Sequence, residues 1–252
     1  MKPFRDRNVH RHLVRLVRFL RDREPLALLG LLVVVLAAWG FIELADEVLE
    51  GSTETFDRWV VRSLRDSSDV SDPIGPTWME EAGRDLTALG GIAVMLIAVA
   101  SAAGFLAINR AYRTMLVLVV STLSGMGVSL WMKSLFARPR PDLVPHLSHV
   151  YTSSFPSGHS MMAALVYLTL AALIAPVLRN IWLRLYALAV AVALTVLVGI
   201  SRVYMGVHYP TDVLAGWAAG LVWALACWLI AHGIKLTARW HGTCRSPEKP
   251  IS

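Results

Sequence analysis

Six apolar runs divide the chain, at roughly 26–46, 86–108, 112–134, 158–178, 182–202 and 211–235. Each is close to the ~20 residues that an α-helix needs to cross about 30 Å of hydrocarbon. Polar residues gather between the runs and are sparse within them. This pattern predicts an all-α, polytopic membrane protein with six transmembrane helices and a single helical core. The predicted organisation is a basic amphipathic segment at 1–25, a six-span domain at 26–236 and a tail at 237–252.

Two further segments repeat apolar residues at helical spacing without being apolar all round. Val9, Leu13, Leu16, Val17 and Leu20 form one stripe, with Arg11, Arg15, Arg18 and Arg21 on the other face. Such a helix suits an anionic membrane surface, or simply marks a cytoplasmic end. Phe56, Trp59, Val60 and Leu64 form a second stripe, with Arg58, Arg62 and Arg65 largely opposite. This predicts a short interfacial helix in the 50–85 loop, either packed on the bundle or guiding a lipid tail.

Composition agrees with the class. Of 252 residues, 56% are hydrophobic and 17% charged, far from the balance of a soluble domain. The net charge of +6 would raise nucleic-acid binding in a soluble chain. Here Lys and Arg cluster at the ends of apolar runs, so they set orientation instead, and no nucleic-acid partner is expected. The N-terminal arginines, the turns with Arg110, Arg113, Arg179 and Arg184, and the tail with Lys235 and Arg239 all fall on one side. The positive-inside rule makes that side cytoplasmic. The acidic 50–85 loop then lies outside, and the N-terminus reads as a retained anchor. The expected location is the inner (cytoplasmic) membrane, with both termini inside. Cys227 and Cys244 are too few for a disulfide framework or a cysteine metal site.

Three polar strings interrupt this pattern, all at span ends on the outer side. The first runs from Lys133 through Arg138 and Arg140 to Pro141. The second is Pro156-Ser157-Gly158-His159. The third is Ser201-Arg202, leading to His208 and Asp212. Alone, each has an ordinary reading: Lys133 as a snorkelling anchor, Ser157 as a helix cap, Asp212 as a cap beside a surface histidine. Together they hold cations, imidazoles and a carboxylate, the parts needed to bind and transfer a phosphoryl group. The prolines around Arg138 and Arg140 favour an extended strand, so the two arginines point different ways. His208 has a carboxylate four residues on, across Pro210, and is the expected nucleophile. His159 lacks one and is the expected general acid. No carboxylate cluster suited to Mg²⁺ is visible at this face. His146 and His149 lie in the loop between the first two strings, where a headgroup contact is conceivable and an incidental position more ordinary. Trp131, Tyr204, Tyr209 and Trp217 read as interface anchors.

In this order the strings resemble the three motifs of the type 2 phosphatidic acid phosphatase family: Lys-x6-Arg-Pro, Pro-Ser-Gly-His and Ser-Arg-x5-His-x3-Asp. That family shares its core with vanadium haloperoxidases. The resemblance covers about residues 86–235. It implies a membrane phosphatase acting through a phosphohistidine, with no metal and no cofactor. It implies phosphate binding by Lys133, Arg140, Ser157, Gly158 and Arg202, acid catalysis by His159, and attack by His208 supported by Asp212. The expected substrate is a membrane lipid phosphate or diphosphate: undecaprenyl diphosphate, phosphatidylglycerophosphate, phosphatidate or diacylglycerol pyrophosphate. A lipid-to-lipid phosphotransferase would use the same site. A non-catalytic binder or translocator of anionic lipids would need the cations but neither histidine nor Asp212.

Overall fold

The computed structural model describes residues 25–141 and 153–243, with side chains as far as 233. Eight helices occupy the described residues: α1 (Pro25–Glu50), α2 (Glu54–Ser63), α3 (Thr77–Ala88), α4 (Ile92–Ile108), α5 (Tyr112–Phe136), α6 (Gly158–Ile174), α7 (Ile181–Tyr204) and α8 (Pro210–Thr243). Among the described residues the only extended pairing outside them is a bridge between Arg65 and Pro73. The predicted basic helix before residue 25, the loop bearing His146 and His149, and the end of the tail lie outside the described residues.

Four helices, α1, α5, α7 and α8, are long and apolar enough to cross a membrane. Their outward faces carry exposed large apolar residues such as Leu29, Leu32, Val35, Leu36 and Trp39. Soluble proteins rarely expose so continuous an apolar surface; the chain is a membrane protein. Where a hydroxyl falls inside a span, the helix satisfies it. Thr122 Oγ1 donates to Leu118 O at 2.8 Å, and Thr195 Oγ1 to Ala191 O at 2.8 Å.

The expected span at 86–108 is broken. Helices α3 and α4 meet at a 47° bend and together make a fifth candidate crossing. The cause is in the sequence: Gly90 and Gly91 are adjacent, and such pairs kink helices. Tyr167 Oη donates to Leu89 O at 2.8 Å, satisfying a carbonyl at the break. The expected span at 158–178 is shorter than predicted. Helix α6 ends at Ile174, and its 17 residues are apolar.

Helix α6 is the centre of the bundle, packed against α5, α7 and α8. It approaches α8 closely because α8 presents Gly216 and Gly220, four residues apart, a spacing that lets backbones touch. A Cβ at Gly216 would sit 2.6 Å from Ser157 O. Met95, Val99, Leu118, Ala163, Val166 and Val198 form the main apolar core between α4, α5, α6 and α7. At one end, Phe155 packs on Phe41 and Phe136, with ring centroids 6.0 and 4.9 Å away. This cluster fixes the turn that opens α6.

The short helix α2 corrects the expected amphipathicity. Its buried residues are Asp57 and Val61, while Phe56 is 51% and Trp59 65% exposed. Val60 and Leu64 turn inward as expected, but the aromatic pair faces out. Arg65 is buried rather than opposite the apolar face, and its Nη2 donates to Tyr204 O at 3.1 Å. Three expected interface anchors are also interior. Tyr204 and Tyr209 are buried, and Trp217 packs onto Gly199 with its Nε1 donating to Thr195 O at 3.1 Å. The glycine leaves a slot that the indole fills. Trp131 is exposed, as an anchor should be.

Candidate active site

The three strings meet at one end of the bundle because each borders a helix terminus there. Helix α5 ends at Ala137 in a left-handed conformation (φ 44°), which turns the chain into the extended Arg138–Pro141 stretch. Ser157 caps α6, its side chain accepting from Ser160 N at 3.4 Å. Arg202 closes α7, and Asp212 lies in the first turn of α8.

Backbone bonds tie the strings together. Ser154 N donates to Arg138 O at 2.9 Å, and Ser157 N to Asp212 O at 2.9 Å. Lys133 Nζ donates to Ser153 O at 2.8 Å. Lys133, Arg140, Gly158, His159, Arg202 and His208 all line one cavity of about 330 Å³. Ser157 and Asp212 are buried immediately behind it, with no measurable exposure. Every residue expected at the site is therefore at this end of the bundle. The cavity continues along an apolar wall that includes Met95, Leu123, Met126 and Met162, between α4, α5 and α6.

His208 is buried between a cation and a carboxylate. Its Nε2 lies 3.2 Å from Arg140 Nη1, which also donates to Val207 O at 2.6 Å. Its Nδ1 lies 3.4 Å from Asp212 Oδ2, longer than an ordinary hydrogen bond. Burial is the main force lowering the His208 pKa, to about 3; Asp212 opposes the shift and the nearby arginines add to it. The imidazole is therefore neutral at physiological pH.

Asp212 reaches back into the preceding loop, as its place in the first turn of α8 allows. Oδ2 accepts from Ser154 Oγ at 2.7 Å and Tyr209 N at 2.9 Å, and Oδ1 from Arg138 Nη1 at 2.7 Å. Arg138 and Arg140 do point different ways. Arg138 runs behind the site, bonded to Asp212 and Asp57 and lying 4.5 Å over the Tyr209 ring. Burial lowers the Arg138 pKa, and the two carboxylates more than reverse this, so the net shift is upward. Burial lowers that of Arg140, with Asp212 opposing.

Arg202 is 1% exposed, and its Nη1 donates to Thr87 Oγ1 at 2.9 Å. Its Nε and Nη2 are buried with no hydrogen-bond partner among the described residues. Such donors suit an anion. Among the described residues no group of three His, Cys, Asp or Glu side chains is placed to hold a metal ion.

Four neighbours of these residues escaped the sequence reading: Asp57, Thr87, Ser154 and Thr211. Only Asp57 left a signal. It sits at helical spacing from Val60, Val61 and Leu64, on the face that α2 buries.

A cationic, histidine-bearing pocket at the end of a membrane bundle, continuous with an apolar wall, has the layout of a site for an anionic lipid. Comparison with known proteins names the family. The profile described as PAP2 superfamily matches residues 114–235. Phosphatidylglycerophosphatase B of Bacillus subtilis (strain 168) is 38% identical over 149 residues, spanning 58% of this chain and 71% of that protein. YbjG of Escherichia coli (strain K12), provisionally named an undecaprenyl-diphosphatase, is 33% identical over 143 residues, 50% of this chain and 66% of that one. The crystal structure of a transmembrane PAP2-type phosphatidylglycerolphosphate phosphatase from Bacillus subtilis superposes with a TM-score of 0.69 at 29% identity, covering 81% of this chain and 96% of that chain. The chain belongs to the PAP2 superfamily and is a lipid phosphatase of that type.

Proposed function

We propose that this enzyme hydrolyses a lipid phosphate or diphosphate at the outer face of the cytoplasmic membrane, through a phosphohistidine and without metal. One observation carries the reading. A single cavity has Lys133, Arg140, Arg202, His159 and His208 at one end and apolar side chains along its wall. The polar end suits a phosphate and the wall suits a lipid chain, so the substrate is amphiphilic. Phosphatidylglycerophosphate and undecaprenyl diphosphate are the leading candidates, because the relatives carry those names. We count the bent α3–α4 pair and the apolar 17-residue α6, about 25 Å long at 1.5 Å per residue, as the fifth and sixth spans of a domain at 26–236, which the four long apolar helices support. The acidic outer loop and basic inner turns favour the orientation.

In the proposed mechanism the phosphate lies among Lys133, Arg140, Arg202 and the α6 N-terminus at Ser157 and Gly158. These groups neutralise charge on the equatorial oxygens. His208 attacks phosphorus through Nε2 while the bond to the leaving oxygen breaks. His159 donates a proton to that oxygen. Asp212 faces Nδ1 and stabilises the positive ring. Water then attacks phosphorus as the P–N bond breaks, His159 takes the water's proton, and inorganic phosphate leaves with His208 restored.

The test is phosphate release by purified protein from a panel of prenyl and glycerolipid phosphates. Wild type should release phosphate, and His208→Ala should abolish it. Full activity in His208→Ala ends the phosphohistidine reading. EDTA should leave the rate unchanged; inhibition reversed by Mg²⁺ would show that the three cations do not suffice.

A further inference from the structure

Asp57 has no measurable exposure, yet it lies on α2, a short helix with two exposed aromatic residues. A buried carboxylate without partners is costly, so the fold must satisfy it. Its Oδ1 accepts from Thr211 N at 3.2 Å. Its Oδ2 accepts from Thr211 Oγ1 at 2.6 Å, Arg138 Nη2 at 2.8 Å and Thr53 Oγ1 at 3.3 Å. The other arm of the same guanidinium, Nη1, donates to Asp212 Oδ1 at 2.7 Å. One arginine is thus divided between two buried carboxylates, and one of those faces the imidazole of His208.

The charges explain why two are needed. Arg138 and Asp212 alone sum to zero. A carboxylate fully matched by a guanidinium has little left to stabilise the positive ring formed when His208 attacks. Adding Asp57 brings these three groups, Arg138, Asp212 and Asp57, to a net charge of −1 on the Nδ1 side of the ring. The fork geometry adds direction. A guanidinium held by Asp57 at one arm and lying over Tyr209 has one orientation left for Asp212.

We propose that Asp57 is a positioning residue for the reaction, acting through Arg138 on Asp212 and so on His208. The inference rests on the phosphohistidine reading above. It extends the site to α2, a segment outside the matched family region.

The experiment measures kcat and KM for phosphate release by detergent-purified wild type, Asp57→Asn, Arg138→Gln, the double variant and His208→Ala. Asp57→Asn should lower kcat at least tenfold with KM within twofold. In the Arg138→Gln background, adding Asp57→Asn should cost less than twofold, because the connection is already cut. A purely structural role for Asp57 would instead cost the same in both backgrounds. A retained kcat, a loss carried by KM, or additive effects each overturns the proposal. If Asp57→Asn does not purify as a monodisperse protein, Arg138→Lys replaces it, keeping a cation but losing the fork. The same kcat loss is then expected, and an unchanged kcat overturns the idea. His208→Ala separates the two claims. An active His208→Ala sinks the phosphohistidine reading itself, whereas an inactive one beside a fully active Asp57→Asn sinks this inference alone.

Discussion

Arg140 Nη1 approaches His208 Nε2 to 3.2 Å, on the side of the ring away from Asp212. A guanidinium can only donate, so Nε2 carries the lone pair and the ring proton sits on Nδ1, facing the carboxylate. That tautomer is the one an Nε2 nucleophile requires. In the proposed mechanism the arginine therefore presets the nucleophile and stands where the phosphate would arrive. Arg140→Gln should lower kcat/KM by about 10²-fold or more, the usual cost of losing an oxyanion donor. Arg140→Lys should fall between, because it keeps charge but not the fork. Steady-state kinetics on one lipid phosphate checks both, and a wild-type kcat/KM in Arg140→Gln would contradict the assignment.

Asp212 is held by Ser154, Tyr209 N and Arg138, all as donors. Asp212→Asn sets an amide among these donors and removes the charge facing Nδ1. Loss of kcat by roughly 10²- to 10⁴-fold is expected, the range for a disabled acid–base partner. Ser154→Ala removes one donor and leaves the carboxylate, so it should cost far less. Equal losses in the two variants would show that hydrogen-bond support, rather than charge, is what Asp212 provides.

Buried His208 also sets a pH dependence of stability. Its folded pKa is about 3, chiefly through burial. The unfolded chain protonates this residue near 6.5. Between these values the unfolded state binds more protons, so this contribution is fully present above about pH 6.5 and is lost as pH falls toward 3. Thermal melts in detergent, followed by tryptophan fluorescence, should show midpoints falling from pH 7 to pH 4. His208→Gln should flatten part of that slope. An identical slope in the variant would mean that other groups carry the whole effect.

The local parts of this site could be read from the sequence. Ser157 as a cap, and Asp212 folding back across Pro210 toward His208, depend on spacings of a few residues. The charge pattern at the span ends also groups the three strings on one side. What escaped depends on distant pairing. Asp57 looked like one acid among many in a loop, because its partner Arg138 lies 81 residues away. The outward turn of Phe56 and Trp59 follows from the same pairing, since Asp57 and Val61 take the inward positions. Tyr204 and Tyr209 resemble interface anchors by position, but Gly83 of α3 packs on Tyr204, and Val61 of α2 with Arg138 covers Tyr209. The Gly90-Gly91 break was visible as letters, and only a count of apolar residues joined the two halves.

Gly216 should tolerate no side chain. A Cβ there would meet Ser157 O at 2.6 Å and Ser160 Cβ at 2.9 Å. Gly216→Val must separate α6 from α8 and move the Ser157-Gly158 turn. Overpacking of this kind costs about 1–3 kcal/mol. A melting midpoint several degrees lower and a raised KM are expected. Gly104 has nothing within 4 Å of its would-be Cβ and lies inside α4, so Gly104→Ala is the control and should melt no lower than wild type with an unchanged KM. If Gly216→Val kept the wild-type midpoint and KM, the close approach would not be holding the anion turn.

The apolar wall of the cavity leads sideways. Leu123 lines the cavity and is also 54% exposed on the outer surface of α5. Leu96 of α4 also lines the cavity and is 53% exposed. In the proposed function the lipid chain leaves the pocket through a passage between α4 and α5 and remains in the bilayer while its phosphate lies among the cations. Met126 lines this passage, and Met126→Trp should narrow it without touching a charged group. The variant should lower kcat/KM at least tenfold for a long-chain lipid phosphate in mixed micelles. For a short-chain, water-soluble phosphate ester it should lower it less than twofold, because that substrate needs only the polar end. Equal losses on both substrates would place the block at the phosphate site. Equal retention would mean that lipid reaches His208 by another route.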